Sequence, residues 1–238
     1  MKDKETIRNI VWGKLQKEGI SHSPYGRIPP FKGQEEAAEL LRKLKIYKNA
    51  KKIFVPPDQA QYPVRFNCIE DGKILIMATP GLKDGFYEIT KNNPNWKKAI
   101  HSHQVKYYGK KLKTSFEEIG KIDLMVTGAV AVSKKGQRIG KGSGFFDWEY
   151  KILREIGSVD EDTPIVAVVH FLQIFEELPF SFYDVSINYI VTPKEIIKIE
   201  NPASRPSGID WEYIKNKNKN LIKKMRPLKE IWITLYSK

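Results

Sequence analysis

Hydrophobic residues recur at helical spacing near the start of the chain. Ile7, Val11 and Leu15 follow one another at intervals of four residues, which places them on one face of a helix. Asp3 precedes this series and is of a residue type that caps helix N-termini. The pattern therefore predicts an opening helix that ends near Gly19, and apolar residues spaced in a similar way within 37–44 predict a second amphipathic helix.

Short apolar runs alternate with helical segments through the rest of the chain. The runs occupy residues 51–56, 73–80, 85–89, 122–128, 163–170 and 187–193. Several are nearly continuous in apolar residues, as in strands whose two faces are both covered, and a helix is predicted from Phe145 to Ile156. The alternation predicts an α/β fold, a three-layer sandwich with a mainly parallel central sheet, in a single domain that spans residues 1–238.

Residues 136–150, GQRIGKGSGFFDWEY, combine glycine with charge. A hairpin is predicted to turn at Gly136, and Gly140, Gly142 and Gly144 then alternate between its second strand and the helix that follows. Glycines in such a place let the backbone approach a phosphate closely, and the N–H groups at the start of the helix point towards it. The segment is therefore a candidate phosphate-binding loop.

Three charged residues of this segment have the chemistry of a phosphate site. Arg138 and Lys141 can pair with phosphate oxygens, and Asp147 can hold a magnesium ion through one oxygen. The segment is neither a Walker A loop nor a Rossmann fingerprint. The alternative interpretation is a glycine-rich turn in which Asp147 only caps the helix.

Composition limits the classes of protein and of partner. Hydrophobic residues make up 41% of the chain and charged residues 29%, which argues against disorder as the ground state. The net charge of +13 favours anionic partners such as nucleotides, polyglutamylated cofactors or RNA. Part of this surplus lies in a basic C-terminal extension at about 212–238, interpreted either as a solvated terminal helix or tail or as an RNA contact.

The chain is expected to be cytoplasmic and to have no membrane partner. No apolar run in the sequence approaches the roughly 18–20 residues that cross a bilayer. The first residues carry charge throughout and lack the apolar centre of a secretory signal. Cys68 is the only cysteine, so an internal disulfide is excluded.

The glycine segment resembles the signature of the 5-formyltetrahydrofolate cyclo-ligase family, whose members are also called methenyltetrahydrofolate synthetases. The pattern of the family is roughly G-x-R-L-G-x-G-x-G-Y-Y-D. Residues 136–147 follow it with Ile139 in place of leucine and with Phe145 and Phe146 in place of the two tyrosines.

The resemblance extends over roughly residues 4–200. Further similar stretches are the pair Lys4 and Arg8 and residues 27–38, 55–65, 127–142, 163–170 and 184–193. They are most similar to a divergent branch of the family, the methenyltetrahydrofolate synthetase domain-containing proteins. Animal members of this branch carry an added RNA-recognition domain, and none is expected in these 238 residues.

The resemblance implies a cyclo-ligase-like, Rossmann-like fold and an activity. The implied activity is an ATP- and Mg²⁺-dependent conversion of 5-formyltetrahydrofolate, or of a related reduced pterin, to the 5,10-methenyl form. Arg138 and Lys141 would be catalytic, and Asp147 would hold Mg²⁺. The residues implied in nucleotide binding are Lys4, Arg8, Gly140, Gly142, Ser143, Gly144, Phe145 and Phe146.

Two departures from the pattern of the family leave alternatives open. Phe145 and Phe146 keep the aromatic rings but lack the hydroxyl groups. Arg65 lies where the ligases carry a glutamate that faces the pterin, so Arg65 is expected at the substrate site and the turnover of the chain is expected to be weak. His170, which ends a predicted strand, is a second candidate for the substrate site. The alternatives to a ligase are a nucleotide- or pterin-binding protein without turnover and an RNA-associated protein.

Overall fold

A computed structural model of the chain describes residues 2–217 and 219–236. The helices in these ranges are α1 (Lys4–Lys17), α2 (Gln34–Lys43), α3 (Lys45–Asn49), α4 (Tyr62–Glu70), α5 (Trp96–Ala99), α6 (Val105–Tyr108), α7 (Phe116–Ile119), α8 (Phe145–Glu155), α9 (Trp211–Lys217), α10 (Lys219–Lys224) and α11 (Arg226–Tyr236). The strands are β1 (Lys52–Phe54), β2 (Ile74–Ala78), β3 (Phe86–Ile89), β4 (Lys110–Lys111), β5 (Leu124–Thr127), β6 (Ala131–Ser133), β7 (Arg138–Ile139), β8 (Ile165–Val168), β9 (Ile174–Phe175), β10 (Tyr189–Val191) and β11 (Ile196–Lys198).

The centre of the described structure is an eight-stranded sheet with the order β11-β10-β8-β5-β1-β2-β3-β4. Strands β10, β8, β5, β1 and β2 run parallel to one another, whereas β11 at one edge and β3 and β4 at the other make antiparallel pairs. A small second sheet joins β7, β6 and β9. The predicted α/β class with a mainly parallel sheet is confirmed.

Successive residues of the central strands enter two different hydrophobic cores. In β1, Ile53 belongs to one core and Phe54 to the other, and Leu124 and Met125 of β5 divide in the same way. Residues of α1, α2 and α4 complete the first core, and residues of α8 and of the C-terminal helices complete the second. Helices therefore cover both faces of the sheet, and this is why the strands are nearly continuous in apolar residues.

The first helix begins and ends where the sequence predicts. The Asp3 side chain accepts hydrogen bonds from the backbone N–H groups of Glu5 and Thr6, each at 2.9 Å. These bonds satisfy donors that have no partner within the helix. Just beyond the end of α1, Gly19 has a φ of +64°, a conformation that an L side chain disfavours.

The predicted hairpin ahead of the glycine loop is also present. Strands β6 and β7 pair antiparallel, and Gly136 between them has a φ of +82°. A side chain at Gly136 would meet the carbonyl oxygen of Ile187 at 2.8 Å, so this turn requires glycine. The hairpin fixes the direction in which the chain enters the loop of residues 140–144.

The C-terminal extension packs on the second core over its described part. Its buried side chains are Ile214, Met225, Leu228 and Ile231. The backbone N–H of Thr114 and its hydroxyl donate to Glu230 Oε2 at 2.9 and 2.6 Å, which joins α11 to the chain ahead of α7. This part is helical, but its apolar face is buried and it is not a solvated tail. Asn218, Ser237 and Lys238 lie outside the described residues.

Within residues 2–217 and 219–236, no helix is both long enough and apolar enough to cross a bilayer.

Candidate functional site

Two adjoining cavities meet at the glycine loop of residues 140–144. The small cavity, of about 300 Å³, lies where the parallel strands end and is bordered by Pro56 after β1, Pro80 after β2 and Thr127 at the end of β5. The large cavity has a volume of about 970 Å³ and shares part of its lining with the small one. Crevices at the carboxyl ends of strands are the usual ligand sites of open α/β sheets. The pair of cavities is therefore the candidate site.

The glycine loop joins β7 to α8 and lines both cavities. Gly142 and Gly144 have φ angles of +112° and +66°, which lie in the region that favours glycine. A β-carbon at Gly142 would lie 3.6 Å from Cζ of Arg8. The lack of side chains here leaves the backbone of the loop open beside a guanidinium group.

Arg138 contributes to the walls of both cavities. Its Nη2 donates to both carboxylate oxygens of Asp147 at 3.2 Å, and its Nη1 donates to the carbonyl oxygen of Gly128 at 3.3 Å. The guanidinium carbon lies 4.6 Å from the centre of the Phe146 ring. Its Nε–H is buried and has no partner among the described residues. Because buried donors are almost always satisfied, this N–H points to a ligand or an ordered water.

Several cations line the large cavity. Arg8 Nε donates to the carbonyl oxygen of Gly140 at 2.8 Å, which ties α1 to the glycine loop. Lys4 forms a short ion pair with Asp184. Lys151 of α8 lines the same cavity, and burial lowers the pKa of its ammonium group. Ammonium and guanidinium groups from two helices thus surround a space in which a polyphosphate would be neutralised.

Asp147 and Asp184 are carboxylates of the large cavity with the chemistry of magnesium ligands. Asp147 and Asp184 both line it, and Asp147 Oδ1 also accepts the backbone N–H of Val185 at 3.1 Å. The described residues contain no group of three or more His, Cys, Asp or Glu side chains that could hold a metal. Magnesium is usually held by one or two carboxylates together with phosphate oxygens. The arrangement therefore fits an ion that binds jointly with a phosphate ligand.

The small cavity combines apolar walls with charged groups. Its apolar lining residues are Ile28, Pro56, Pro57, Pro80, Phe145 and Phe146. Lys141 Nζ lies 3.1 Å from Asp58 Oδ1, and Arg27 and His103 also line the cavity. A pocket that mixes apolar and aromatic faces with polar groups suits a flat ring that carries hydrogen-bonding atoms at its edge.

Glu149 is a buried carboxyl group in the wall of the small cavity. The residue is 3% exposed, and its Oε2 has no hydrogen-bond partner among the described residues. Burial raises the pKa of Glu149 well above its usual value, with Asp58 acting in the same direction and Arg138 against it. The folded chain therefore binds a proton at Glu149 more tightly than the unfolded chain does.

Glu149→Gln is expected to stabilise the chain more at about pH 8 than at about pH 5. A carboxyl group whose pKa is raised on folding favours the folded state below its unfolded pKa, and that contribution is lost as the pH rises through the folded pKa. The amide does not ionise, so the variant avoids this loss. Melting temperatures at both pH values test the expectation, with Glu118→Gln at an exposed position as the control. An equal gain at both pH values would contradict it.

Most of the predicted site residues come together at the two cavities. Those that line at least one cavity are Lys4, Arg8, Arg138, Gly140, Lys141, Gly142, Ser143, Gly144, Phe145, Phe146 and Asp147. Lys141, Ser143, Phe145 and Phe146 line the small cavity and not the large one. The binding and catalytic roles of these residues stay predictions.

The structure does not bring Arg65 to either cavity. The side chain is 1% exposed, and it donates to the carbonyl oxygens of Ile100, Pro56 and Asp58 at 2.8, 2.6 and 2.8 Å. Burial lowers the pKa of Arg65 to about 10, so it is still a cation at neutral pH. The expected direct contact with a substrate does not fit this placement, because these three hydrogen bonds direct the guanidinium group to backbone carbonyl oxygens. Arg65 instead holds the segment 56–58 that borders the small cavity.

His170 is likewise placed outside the linings of both cavities. Its backbone N–H donates to Gln173 Oε1 at 2.7 Å, and its Nδ1 accepts the backbone N–H of Leu172 at 3.3 Å. The ring lies 4.3 Å from that of Phe171, and burial lowers the pKa of the imidazole. His170 thus caps the short helical turn Phe171–Gln173 and lines neither cavity, and its assignment to the substrate site stays a prediction.

Asp58, Glu149 and Lys151 are among the residues of the site that were not predicted from the sequence. Asp58 follows a pair of prolines at the end of β1, and Glu149 and Lys151 lie in the helix that starts at the glycine loop. Asp147 and Lys151 are four residues apart, so they lie on the same face of α8, and both line the large cavity. Glu149, two residues from each, points in a different direction and lines the small cavity.

Comparison with known proteins identifies relatives over most of the chain. The profile of the 5-formyltetrahydrofolate cyclo-ligase family matches residues 1–193. A methenyltetrahydrofolate synthase domain-containing protein of Bos taurus is 34% identical over 221 residues, which are 89% of this chain and 58% of the bovine protein. Its Homo sapiens counterpart is 32% identical over 219 residues, 87% of this chain and 56% of the human protein. The chain thus spans less than two thirds of the length of these relatives.

A solved structure shares the fold. The NMR structure of 5,10-methenyltetrahydrofolate synthetase from Aquifex aeolicus superposes with a TM-score of 0.55 at 19% identity, and the match covers 85% of this chain and 96% of that one. At this identity the likeness supports the fold alone. The family profile over residues 1–193 confirms the resemblance found in the sequence. The chain therefore belongs to the 5-formyltetrahydrofolate cyclo-ligase family.

Proposed function

We propose that the chain is an ATP- and Mg²⁺-dependent cyclo-ligase that converts 5-formyltetrahydrofolate, or a related reduced pterin, to the 5,10-methenyl form. The observation that carries this proposal is the position of Arg138, whose side chain borders both cavities. A phosphoryl donor in one cavity and an acceptor in the other would meet beside this guanidinium group. Membership of the cyclo-ligase family supports the same reaction.

The chemistry of the linings assigns a ligand to each cavity. The large cavity carries Lys4, Arg8 and Lys151, which suit the charges of a triphosphate. The small cavity has apolar and aromatic walls with carboxyl groups from Asp58 and Glu149. Carboxylate oxygens accept hydrogen bonds, and the edge of a pterin ring carries N–H donors. We therefore assign the nucleotide to the large cavity and the pterin to the small one.

The residues of the chain contribute position and charge to the reaction. Bound ATP would supply the phosphoryl group that activates the 5-formyl oxygen. N10 of the folate would then bond to the formyl carbon, the bond from that carbon to the phosphorylated oxygen would break, and phosphate and the N10 proton would be released. Arg138 and Lys141 would neutralise charge on the transferred group, and Asp147 would hold Mg²⁺. Such preorganised charges, held here by the bonds of Arg138 to Asp147 and Gly128, are the main contribution that proteins make to phosphoryl transfer.

ATP with Mg²⁺ is expected to raise the melting temperature of the chain. Addition of 5-formyltetrahydrofolate is then expected to start ATP hydrolysis and the formation of a methenyl product. A ligand at a hundred times its Kd stabilises the folded state by about 2.7 kcal/mol. Thermal denaturation, phosphate release and the absorbance of the methenyl product are the three measurements. Removal of Mg²⁺ with a chelator is expected to abolish both the hydrolysis and the product.

Different outcomes separate the alternatives. Stabilisation by ATP without product would indicate a nucleotide-binding protein without turnover, a result that the missing hydroxyl groups of Phe145 and Phe146 would explain. The absence of any thermal shift at millimolar nucleotide would overturn the assignment of the large cavity.

A further inference from the structure

Three exposed aromatic side chains border the large cavity. Phe182, Tyr183 and Tyr213 line it and are 85%, 50% and 49% exposed. The rings of Phe182 and Tyr183 contact each other edge to face, with centroids 5.2 Å apart. Tyr213 comes from α9, about thirty residues further along the chain. Convergence of large exposed rings on one cavity is typical of a binding surface.

Tyr213 belongs to a segment that lies beyond the family match. The profile of the family ends at residue 193, whereas residues 206–210 and Tyr213 form one wall of the large cavity. This wall therefore lies outside the segment that the family profile matches.

Glu155, at the end of α8, holds this segment in place. Its Oε2 accepts the backbone N–H of Ile209 at 2.9 Å, and its Oε1 accepts the indole N–H of Trp211 at 2.8 Å. A β-carbon at Gly208 would lie 2.5 Å from Glu155 Oε2, and its φ of +155° also disfavours an L side chain. The φ angle favours glycine at this position, and the two hydrogen bonds to Glu155 fix the backbone that leads into α9.

The same cavity thus carries two kinds of surface. Lys4, Arg8 and Lys151 supply positive charge, and the aromatic residues supply flat apolar faces. Phosphate groups alone would use only the first of these surfaces. A ligand that uses both has an anionic part and a planar ring, as a nucleotide has.

We propose that Tyr213 stacks on the base of the nucleotide that binds in the large cavity. This proposal rests on the proposed function, since it takes the ligand of that cavity to be ATP. The ring of Tyr213 is half exposed without ligand, so a base can cover it without displacing a packed core residue. Glu155 acts as a positioning residue, because it holds the segment from which α9 starts.

The test compares ATP with inorganic tripolyphosphate, which has the charge but no base. Calorimetric titration of the full chain is carried out on the wild type, Tyr213→Ala, Tyr213→Phe and the control Tyr107→Ala. Tyr107 is an exposed tyrosine of α6 outside both linings, 70% exposed. Tyr213→Ala is expected to weaken ATP binding about tenfold, the usual effect of losing one base–aromatic stack, and to leave tripolyphosphate binding unchanged.

Tyr213→Phe and Tyr107→Ala are expected to bind ATP like the wild type, since the first keeps the ring and the second lies elsewhere. Equal weakening of ATP and tripolyphosphate by Tyr213→Ala, or no weakening of either, would overturn the stacking proposal alone. Loss of ATP binding in Tyr213→Phe would overturn it as well, because the hydroxyl and not the ring would then be the contact. A wild-type chain that binds neither compound would overturn the nucleotide assignment and this proposal together.

Discussion

Arg65→Glu is expected to lower the free energy of unfolding by about 4 kcal/mol or more, a large share of the roughly 5–15 kcal/mol that holds a domain folded. The wild-type guanidinium donates to the carbonyl oxygens of Ile100, Pro56 and Asp58. A carboxylate in its place would have no hydrogen to donate to these oxygens, and its own charge would be buried without a partner. The segment 56–58 would lose its anchor, so ligase turnover is expected to fall.

Urea denaturation followed by circular dichroism measures this effect. Arg65→Met, which keeps much of the volume but no donor, separates the lost hydrogen bonds from the added negative charge. Arg42→Ala is the control, because Arg42 is a partly exposed arginine that pairs with Asp71 and Glu39, and such surface pairs contribute about 0–1 kcal/mol. An Arg65→Glu chain with the wild-type denaturation midpoint and more methenyl product would show that Arg65 does contact the substrate.

Arg138→Ala is expected to weaken ATP binding about ten- to a hundredfold, which corresponds to the roughly 1.5–3 kcal/mol of a charge-assisted hydrogen bond. The side chain is 6% exposed, borders both cavities and has an unpaired Nε–H. Tripolyphosphate binding is expected to weaken to the same extent, because the contact is to phosphate and not to the base. This equality distinguishes Arg138 from Tyr213.

Isothermal titration calorimetry of the full chain measures both affinities. Arg138→Lys keeps the charge but not the two-oxygen contact with Asp147, so its affinity is expected to lie between those of the wild type and the alanine variant. Arg42→Ala again serves as the control. Equal ATP affinity in Arg138→Ala and Arg42→Ala, with both chains folded, would mean that the glycine loop is only a structural turn.

Local patterns were enough to predict the elements that depend on near neighbours in sequence. The capped helix after Asp3, the hairpin at Gly136 and the helix from Phe145 all follow from spacing within about a dozen residues. Helix capping, turn geometry and strand burial on two faces each leave a local signature, so these elements are present where they were expected. The same signatures predicted a glycine loop between a strand and a helix, and such a loop joins β7 to α8.

Long-range packing decided the placements of Arg65, Glu149 and Tyr213. Arg65 lies in α4, whose first turn faces the carbonyl groups of a loop and of residue 100, and no spacing in the sequence indicates those partners. Glu149 became a buried cavity residue because α8 packs on the second core, where Phe146 contacts Phe54 at the end of β1, whereas an isolated helix would leave its carboxyl group in water. The sequence by itself determined the opening helices, most strands of the central sheet and where the glycine loop lies. Only the tertiary structure decided which side chains from distant segments of the chain meet in one cavity, because such contacts depend on how the layers pack and not on the order of neighbouring residues.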